Sequence, residues 1–349
     1  MRSIRKTLLI TVALWTFGLA AVTAQADPAP QPIYTGERIE YNSVQWAADS
    51  QSLAFVAADG SPYQHYHYEL TTDTLTQTPA HPFALTLSPE QQAHFEAAFA
   101  EVFPSPDSRY VIYEHWENTC TEYLARCWPK LGIGELETGH FQVIETGLAY
   151  QRWFIWSMAS NAVLIPEFAE VMGGTLYVHN FEQGVENAEI KQLTSAQNGS
   201  DIYVAMHPNG EQVLLPSPFN RRTAGLYVWD VSRLDTPTLF AAQDSPIALA
   251  DMPVAGAAFD PERADHLYAV TDEGIVTLDW TAPDSQRIIN PSIHADWVQW
   301  AYFSPDFRWI AVQPKPRFGF ACQLYVLEVE TMLDVDALLE AAPRCSFYG

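Results

Sequence analysis

One phrase recurs six times along this chain, and it constrains the fold more than any other feature. An aromatic residue or Met leads, a small or polar residue follows, often Pro, then a turn acid or amide, then an apolar run. The copies open at Trp46-Ala47-Ala48-Asp49-Ser50, Phe103-Pro104-Ser105-Pro106-Asp107-Ser108 and Trp156-Ser157-Met158-Ala159-Ser160-Asn161. They continue at Met206-His207-Pro208-Asn209-Gly210, Phe259-Asp260-Pro261-Glu262-Arg263 and Phe303-Ser304-Pro305-Asp306-Phe307. The leading positions 46, 103, 156, 206, 259 and 303 stand 57, 53, 50, 53 and 44 residues apart. Pro presets the first turn position and Asp or Asn favours the second, so each copy reads as a hairpin. The aromatic residue ends one strand, and the apolar run, such as Leu53-Ala54-Phe55-Val56 or Trp309-Ile310-Ala311-Val312, returns as the next.

A third strand follows in most copies, as in Leu176-Tyr177-Val178, Leu226 to Asp230 and Leu324 to Leu327. A more polar fourth fits at Ile190-Lys191-Gln192-Leu193-Thr194. Such a small meander cannot bury its own faces and has to stack on neighbours. The expected fold is therefore all-β, a six-bladed β-propeller with four-stranded antiparallel blades. The sixth copy lacks an outer strand, because the sequence after Glu330 turns helical over about 334–342. The segment from Pro32 to Arg38 has no other blade to join, so both chain ends are expected to close the ring.

Two insertions interrupt the pattern. Ser88-Pro89-Glu90-Gln91 reads as a helix start, with Ser as the N-cap and Pro in the first turn, and predicts a short helix over about 88–98. A long hairpin loop runs from Glu114 to Trp128 in the second blade.

The head of the chain sets the compartment. Arg2, Arg5 and Lys6 precede an apolar run of about 15 residues from Leu8 to Val22, then Ala24-Gln25-Ala26. That is the layout of a cleaved signal peptide over 1–26, and the run is short of the roughly 20 residues a spanning helix needs. The mature domain would be 27–349, periplasmic or extracellular, with no membrane span. Its 42 acidic residues face 15 basic ones once those three of the 18 are removed, a formal charge of −27. Such a surface repels phosphate backbones and anionic lipid, which excludes nucleic acid as a partner.

Cys120, Cys127, Cys322 and Cys345 are four cysteines in an exported chain, which favours disulfides. Of the three pairings, the local ones, Cys120–Cys127 and Cys322–Cys345, are preferred; the second would pin the tail to the last blade. The Cys-x₂-Cys spacing of a zinc site is absent, and no metal or cofactor is expected.

The phrase Phe303-Ser304-Pro305-Asp306, its variant Phe103 to Asp107, and Gln192-Leu193-Thr194 resemble the TolB-like six-bladed propellers over about 32–330. That resemblance implies a fold and leaves function open, since the superfamily holds scaffold proteins, peptidase propellers and carbohydrate-active enzymes. No Gly-x-Ser-x-Gly nucleophile elbow occurs here.

Propellers bind ligands where the residues ahead of each inner strand converge. Here those are Tyr41, Glu96, Arg152, Trp153, Asp201, Tyr203, Asp296 and Trp297. Aromatics, carboxylates and one Arg suit a sugar or a peptide end. His65 and His67 lie two apart on an expected strand and share a face, yet no third metal ligand accompanies them. His207 and His294 sit near turns and read as structural. The expected function is an exported, non-catalytic and monomeric binding or scaffold propeller that recognises a protein, peptide or glycan at the channel mouth. The alternative is a propeller hydrolase or lyase acting on a sugar, lactone or similar small molecule.

Overall fold

The Ser-Pro-Asp phrase folds as the residues dictate. Ser108 N–H donates to Ser105 O at 2.9 Å, Phe307 N–H to Ser304 O at 2.9 Å, and Ser50 N–H to Ala47 O at 3.0 Å. The donor residue then passes through the left-handed region, at φ 58° for Ser108, 55° for Phe307 and 60° for Ser50. This is a tight turn followed by a one-residue bulge, a geometry that matches the twist of the flanking strands. The acid secures it: Asp107 Oδ1 accepts from Arg109 N–H at 3.0 Å and from Ser105 Oγ at 2.8 Å, and Asp306 Oδ1 accepts from Arg308 N–H at 3.1 Å. Burial alone would raise the Asp107 carboxyl. The Arg109 amide, the Ser105 and Ser160 hydroxyls and the Arg109 charge outweigh it and hold the group below its ordinary value.

A computed structural model describes residues 30–36, 38–39, 43–58, 64–79, 82–84, 88–89, 102–115, 130–144, 155–157, 159–168, 174–181, 184–194, 205–216, 226–230, 248–249, 254–263, 265–315 and 322–341. The first strands are β1 (Tyr34–Thr35), β2 (Arg38–Ile39), β3 (Gln45–Trp46), β4 (Ser52–Ala58), β5 (Gln64–Glu69) and β6 (Thr74–Thr78). Next come β7 (Val102–Pro104), β8 (Tyr110–His115), β9 (Lys130–Glu135) and β10 (Phe141–Ile144). They are followed by β11 (Ile155–Trp156), β12 (Ala162–Phe168), β13 (Gly174–Asn180) and β14 (Glu189–Thr194). The fourth group is β15 (Ala205–Met206), β16 (Gln212–Pro216), β17 (Leu226–Asp230) and β18 (Ala248–Leu249). The fifth is β19 (Gly256–Phe259), β20 (His266–Thr271), β21 (Gly274–Asp279) and β22 (Ala282–Asn290). The chain continues through β23 (Val298–Phe303), β24 (Trp309–Pro314) and β25 (Gln323–Glu328) to helix α1 (Val335–Ala341).

Among the described residues these strands form six antiparallel sheets, one per copy of the phrase. Sheets two to five are simple four-stranded meanders. In sheet one, β2 and β3 both pair with the same edge of β4, opposite the β5–β6 side. Sheet six has the order β1-β25-β24-β23, so the N-terminal strand supplies its outer strand through Tyr34↔Leu324 and Thr35↔Gln323. Ile33 N–H to Leu324 O and Gly36 N–H to Cys322 O extend that pairing.

The sheets meet in a repeated way. Asp107 N–H, in the turn of sheet two, donates to Ser160 Oγ in the turn of sheet three at 3.0 Å. Asp306 N–H, in the turn of sheet six, donates to Ser50 Oγ in the turn of sheet one at 3.1 Å. Between sheets three and four the acceptor differs, because Gly210 stands where the Ser would be. Ala159 N–H donates to Pro208 O at 2.9 Å instead. Apolar residues fill the spaces: Ile112 and Ile133 pack with Val163 and Phe181 across sheets two and three, and Leu214 with Ala257 and Leu267 across four and five. Leu53 and Phe55 pack with Tyr302, Ala311 and Leu324 across one and six. Ser50→Ala should therefore cost about 1–2 kcal/mol, since it leaves the Asp306 amide without its acceptor. Urea unfolding of the mature protein checks this, and an unchanged midpoint would refute it.

Several details differ from the sequence reading. Glu114 and His115 are not loop but the last residues of β8, paired with Leu131 and Lys130, because the backbone ladder continues past the apolar run. The tail helix begins at Val335, with Asp334 as its cap: Asp334 Oδ1 accepts from Ala337 N–H at 3.1 Å. The predicted signal segment 1–26 and all of the 88–98 insertion beyond Pro89 lie outside the described residues. No helix among the described residues is long and apolar enough to cross a membrane.

Candidate functional site

The loop ahead of β23 is where the described structure reaches the expected ligand-binding positions. Of the eight candidates, Asp296 and Trp297 are described, whereas Tyr41, Glu96, Arg152, Trp153, Asp201 and Tyr203 lie outside the described residues. The two neighbours behave differently. Asp296 is open, with its side chain 73% exposed and Oδ2 3.6 Å from His294 Nδ1. Trp297 is buried in the core shared by sheets five and six, and its indole N–H donates to Ser292 O at 2.9 Å. Its aromatic face is used inside the fold, so at this position the loop offers a carboxylate and an imidazole rather than a stacking surface.

The loop is held firmly from below. Asn290, at the end of β22, is fully buried, and its amide donates to Val329 O and to Thr331 O, each at 2.8 Å. Its Oδ1 accepts from Ser292 N–H at 2.9 Å and from Ser292 Oγ at 2.6 Å. Ser292 Oγ in turn accepts from Leu333 N–H at 3.0 Å. Asn290 thus joins the outer strand of sheet five, the segment after β25 and the 291–297 loop. Nothing in the sequence singled it out, because its partners are backbone carbonyls about 40 residues away. Asn290→Ala should destabilise the protein by about 2–3 kcal/mol by orphaning these buried groups. A thermal melt tests it, and the loop amides of 292–297 should lose hydrogen-exchange protection together.

The strand β23 opens on a bulge. Val298 pairs with Pro314 and Trp300 with Gln313, which leaves Gln299 as the extra residue. Gln313 is only 2% exposed and its Nε2 has no hydrogen-bond partner; Gln299 Oε1 and His294 Nδ1 are likewise buried and without one. The sequence did carry a signal for Gln313, a polar residue directly after the apolar run Trp309-Ile310-Ala311-Val312.

The other candidates resolve into structure. His65 and His67 lie on β5 opposite Val56 and Ala54 and share a face; His65 is buried, and His67 meets the Phe83 ring edge-on at 6.1 Å. Among the described residues no group of three His, Cys, Asp or Glu side chains is placed to hold a metal ion. His207 sits in the fourth turn against Phe259, its ring Nδ1 bonded to the Asn209 side chain. Burial pushes the Tyr113 phenol up to about 12, so it remains neutral. Cys322 is buried and disulfide-bonded, and its partner falls outside the described residues, as do Cys120, Cys127 and Cys345.

No family model matches the sequence, and no curated protein matches it either. Among solved structures, TolB from Acinetobacter baumannii is similar at 14% identity and TM-score 0.40, over 83% of this chain. This chain spans 57% of that TolB chain. An oligogalacturonate lyase in complex with manganese is similar at 11% identity and TM-score 0.42, covering 85% of this chain and 79% of its own. A luciferin-regenerating enzyme is similar at 12% identity and TM-score 0.42, covering 86% and 97%. The resemblance to TolB and to other propeller proteins is one of fold.

Proposed function

We propose that the six sheets are blades of one closed ring, and that the chain is an exported binding propeller taking a protein, peptide or glycan at the channel mouth. The observation that carries the ring is the recurrence of one contact. The hydrogen bond from Asp306 N–H to Ser50 Oγ repeats, between the last sheet and the first, the bond that joins sheets two and three. Trp46 Nε1–H to Tyr302 O at 2.9 Å and the β1–β25 pairing lie at the same junction. In such a ring the strands β7, β11, β15, β19 and β23 stand innermost, and the segments ahead of them surround one opening.

The binding role follows from what the described part of that rim presents, an open carboxylate on a loop anchored by buried hydrogen bonds. Rigid presentation lowers the entropy lost on binding. The net charge of −27 for the mature chain favours neutral or cationic partners over anionic ones. The two local disulfides belong to the same proposal, with Cys345 clasping the tail through Cys322. The test is to express the mature domain, measure its metal content, and screen its melting temperature against ions, glycans and peptides. A saturable shift with a glycan or peptide, without turnover, supports the reading. Turnover of the bound compound, or a stoichiometric catalytic metal, overturns it in favour of a hydrolase or lyase.

A further inference from the structure

The fourth copy of the turn phrase carries Asn209-Gly210, where copies one, two and six have Asp49-Ser50, Asp107-Ser108 and Asp306-Phe307. The fold imposes that glycine. Gly210 has φ +78°, and a Cβ there would stand 2.8 Å from Asn161 Oδ1 and 2.9 Å from Ala162 Cβ in sheet three. An Asn followed by Gly is chemically reactive, because no side chain hinders the glycine nitrogen from attacking the Asn side-chain carbonyl.

In the closed turn that nitrogen is withheld. Gly210 N–H donates to His207 O at 2.9 Å. Asn209 Oδ1 accepts from Glu211 N–H at 2.9 Å and is bonded to His207 Nδ1, while Nδ2 donates to Glu211 Oε2 at 2.9 Å. The side chain is thereby tied to residue 211, one position past the nitrogen that would attack it. The neighbouring sheet holds the turn shut. Asn161 Nδ2 donates to Asn209 O at 2.9 Å, and Ala159 N–H donates to Pro208 O at 2.9 Å. Asn209 is only half-buried, so water reaches it once the turn opens.

We propose that Asn209 is a deamidation site gated by the seam between sheets three and four. When the turn opens, the Gly210 nitrogen gives its proton to solvent hydroxide and attacks the Asn209 side-chain carbonyl carbon. The new C–N bond closes an imide ring, the C–NH₂ bond breaks, and the amine leaves as ammonia with a proton from water. Water then opens the imide at one of its two carbonyls, giving aspartate or isoaspartate with no change of oxidation state. The products differ in effect. An aspartate keeps the acceptor for Glu211 N–H, as Asp107 does for Arg109 N–H and Asp306 for Arg308 N–H. Isoaspartate adds a carbon to the backbone and moves the carbonyl that Asn161 holds, so it unlocks the seam.

The experiment incubates the folded mature protein, the same protein in urea, and the folded variants Asn161→Ala and Ser50→Ala at mildly alkaline pH. Conversion at residue 209 is followed by fragment-ion mass spectrometry, which separates it from Asn198-Gly199 in the same tryptic peptide. Conversion in the folded protein is expected to be at least about tenfold slower than in urea, since only the open fraction reacts. Asn161→Ala should speed it about fivefold, the change in open population that one lost hydrogen bond produces. Ser50→Ala loosens the seam between sheets one and six instead and should leave the rate at residue 209 unchanged. Asn161→Asp keeps the acceptor for the Ser157 hydroxyl and removes the donor to Asn209 O, and it takes the place of the Ala variant if that one does not fold. Absence of conversion in urea overturns the site. Equal rates in the folded and the urea-unfolded protein overturn the gate. So does an Asn161 variant that converts no faster than the unmodified protein, and so does equal acceleration by Ser50→Ala, which would assign the reaction to global unfolding.

Discussion

Replacing Phe55 by Ala should cost about 3–5 kcal/mol, the largest loss expected from any single truncation in the seam between the first and last sheets. Phe55 is fully buried on β4. Its ring lies parallel to Tyr66 at 5.2 Å and meets Tyr34 edge-on at 5.1 Å. Tyr34 belongs to β1, which is hydrogen-bonded to sheet six, so a single ring supports residues from both ends of the chain. Its removal opens a cavity among residues of two sheets, and the strands around it cannot collapse without breaking the β1–β25 pairing. Urea unfolding should show the midpoint falling with the slope preserved. Limited proteolysis should cut near residues 30–36 before global unfolding. A loss below about 1 kcal/mol would mean that the first and sixth sheets do not share this core.

Gly256→Val should be nearly as damaging, at about 3 kcal/mol, for a different reason. A Cβ at Gly256 would stand 2.2 Å from Ala301 O and 2.9 Å from Ala301 C and Cβ. The obstacle is backbone, and it cannot rotate away. The strands β19 and β23 approach closely here because Ala301 N–H donates to Ala255 O at 3.0 Å, directly between sheets five and six. Any side chain at 256 forces these sheets apart and breaks that bond. Ala301→Gly in the same chain should restore little, since the carbonyl oxygen remains. Gly184 is the contrast: its φ of +86° and ψ of 165° form a backbone conformation essentially reserved for glycine, with nothing within 4 Å of a Cβ, so Ala there should cost about 1–3 kcal/mol through backbone strain alone. Comparing the two melting temperatures separates close approach from conformational strain.

The sixfold phrase was legible because its residues act locally. Pro, Asp and Ser set a turn through contacts no more than five residues apart, as the bond from Tyr110 N–H to Ser105 Oγ at 3.0 Å shows, and the apolar runs follow from it. The same locality made the tail helix readable, to within one residue of its start at Val335. The candidate site was less legible. Trp297 and Asp296 are adjacent and looked equivalent, yet one packs between sheets and the other stays open. The β-bulge at Gln299 is a property of two strands in register and leaves no trace in either alone.

The amino-acid order by itself determined six hairpins, their turn chemistry and the N-terminal strand left over for the last meander, because each depends on neighbours along the chain. Only the tertiary structure decided that Asn290 ties three segments together, that the indole of Trp297 faces inward, and that Gln299 becomes the bulged residue opposite Gln313. Those outcomes depend on which distant backbone atoms come within about 3 Å, and that distance is set by how sheets stack rather than by any local preference.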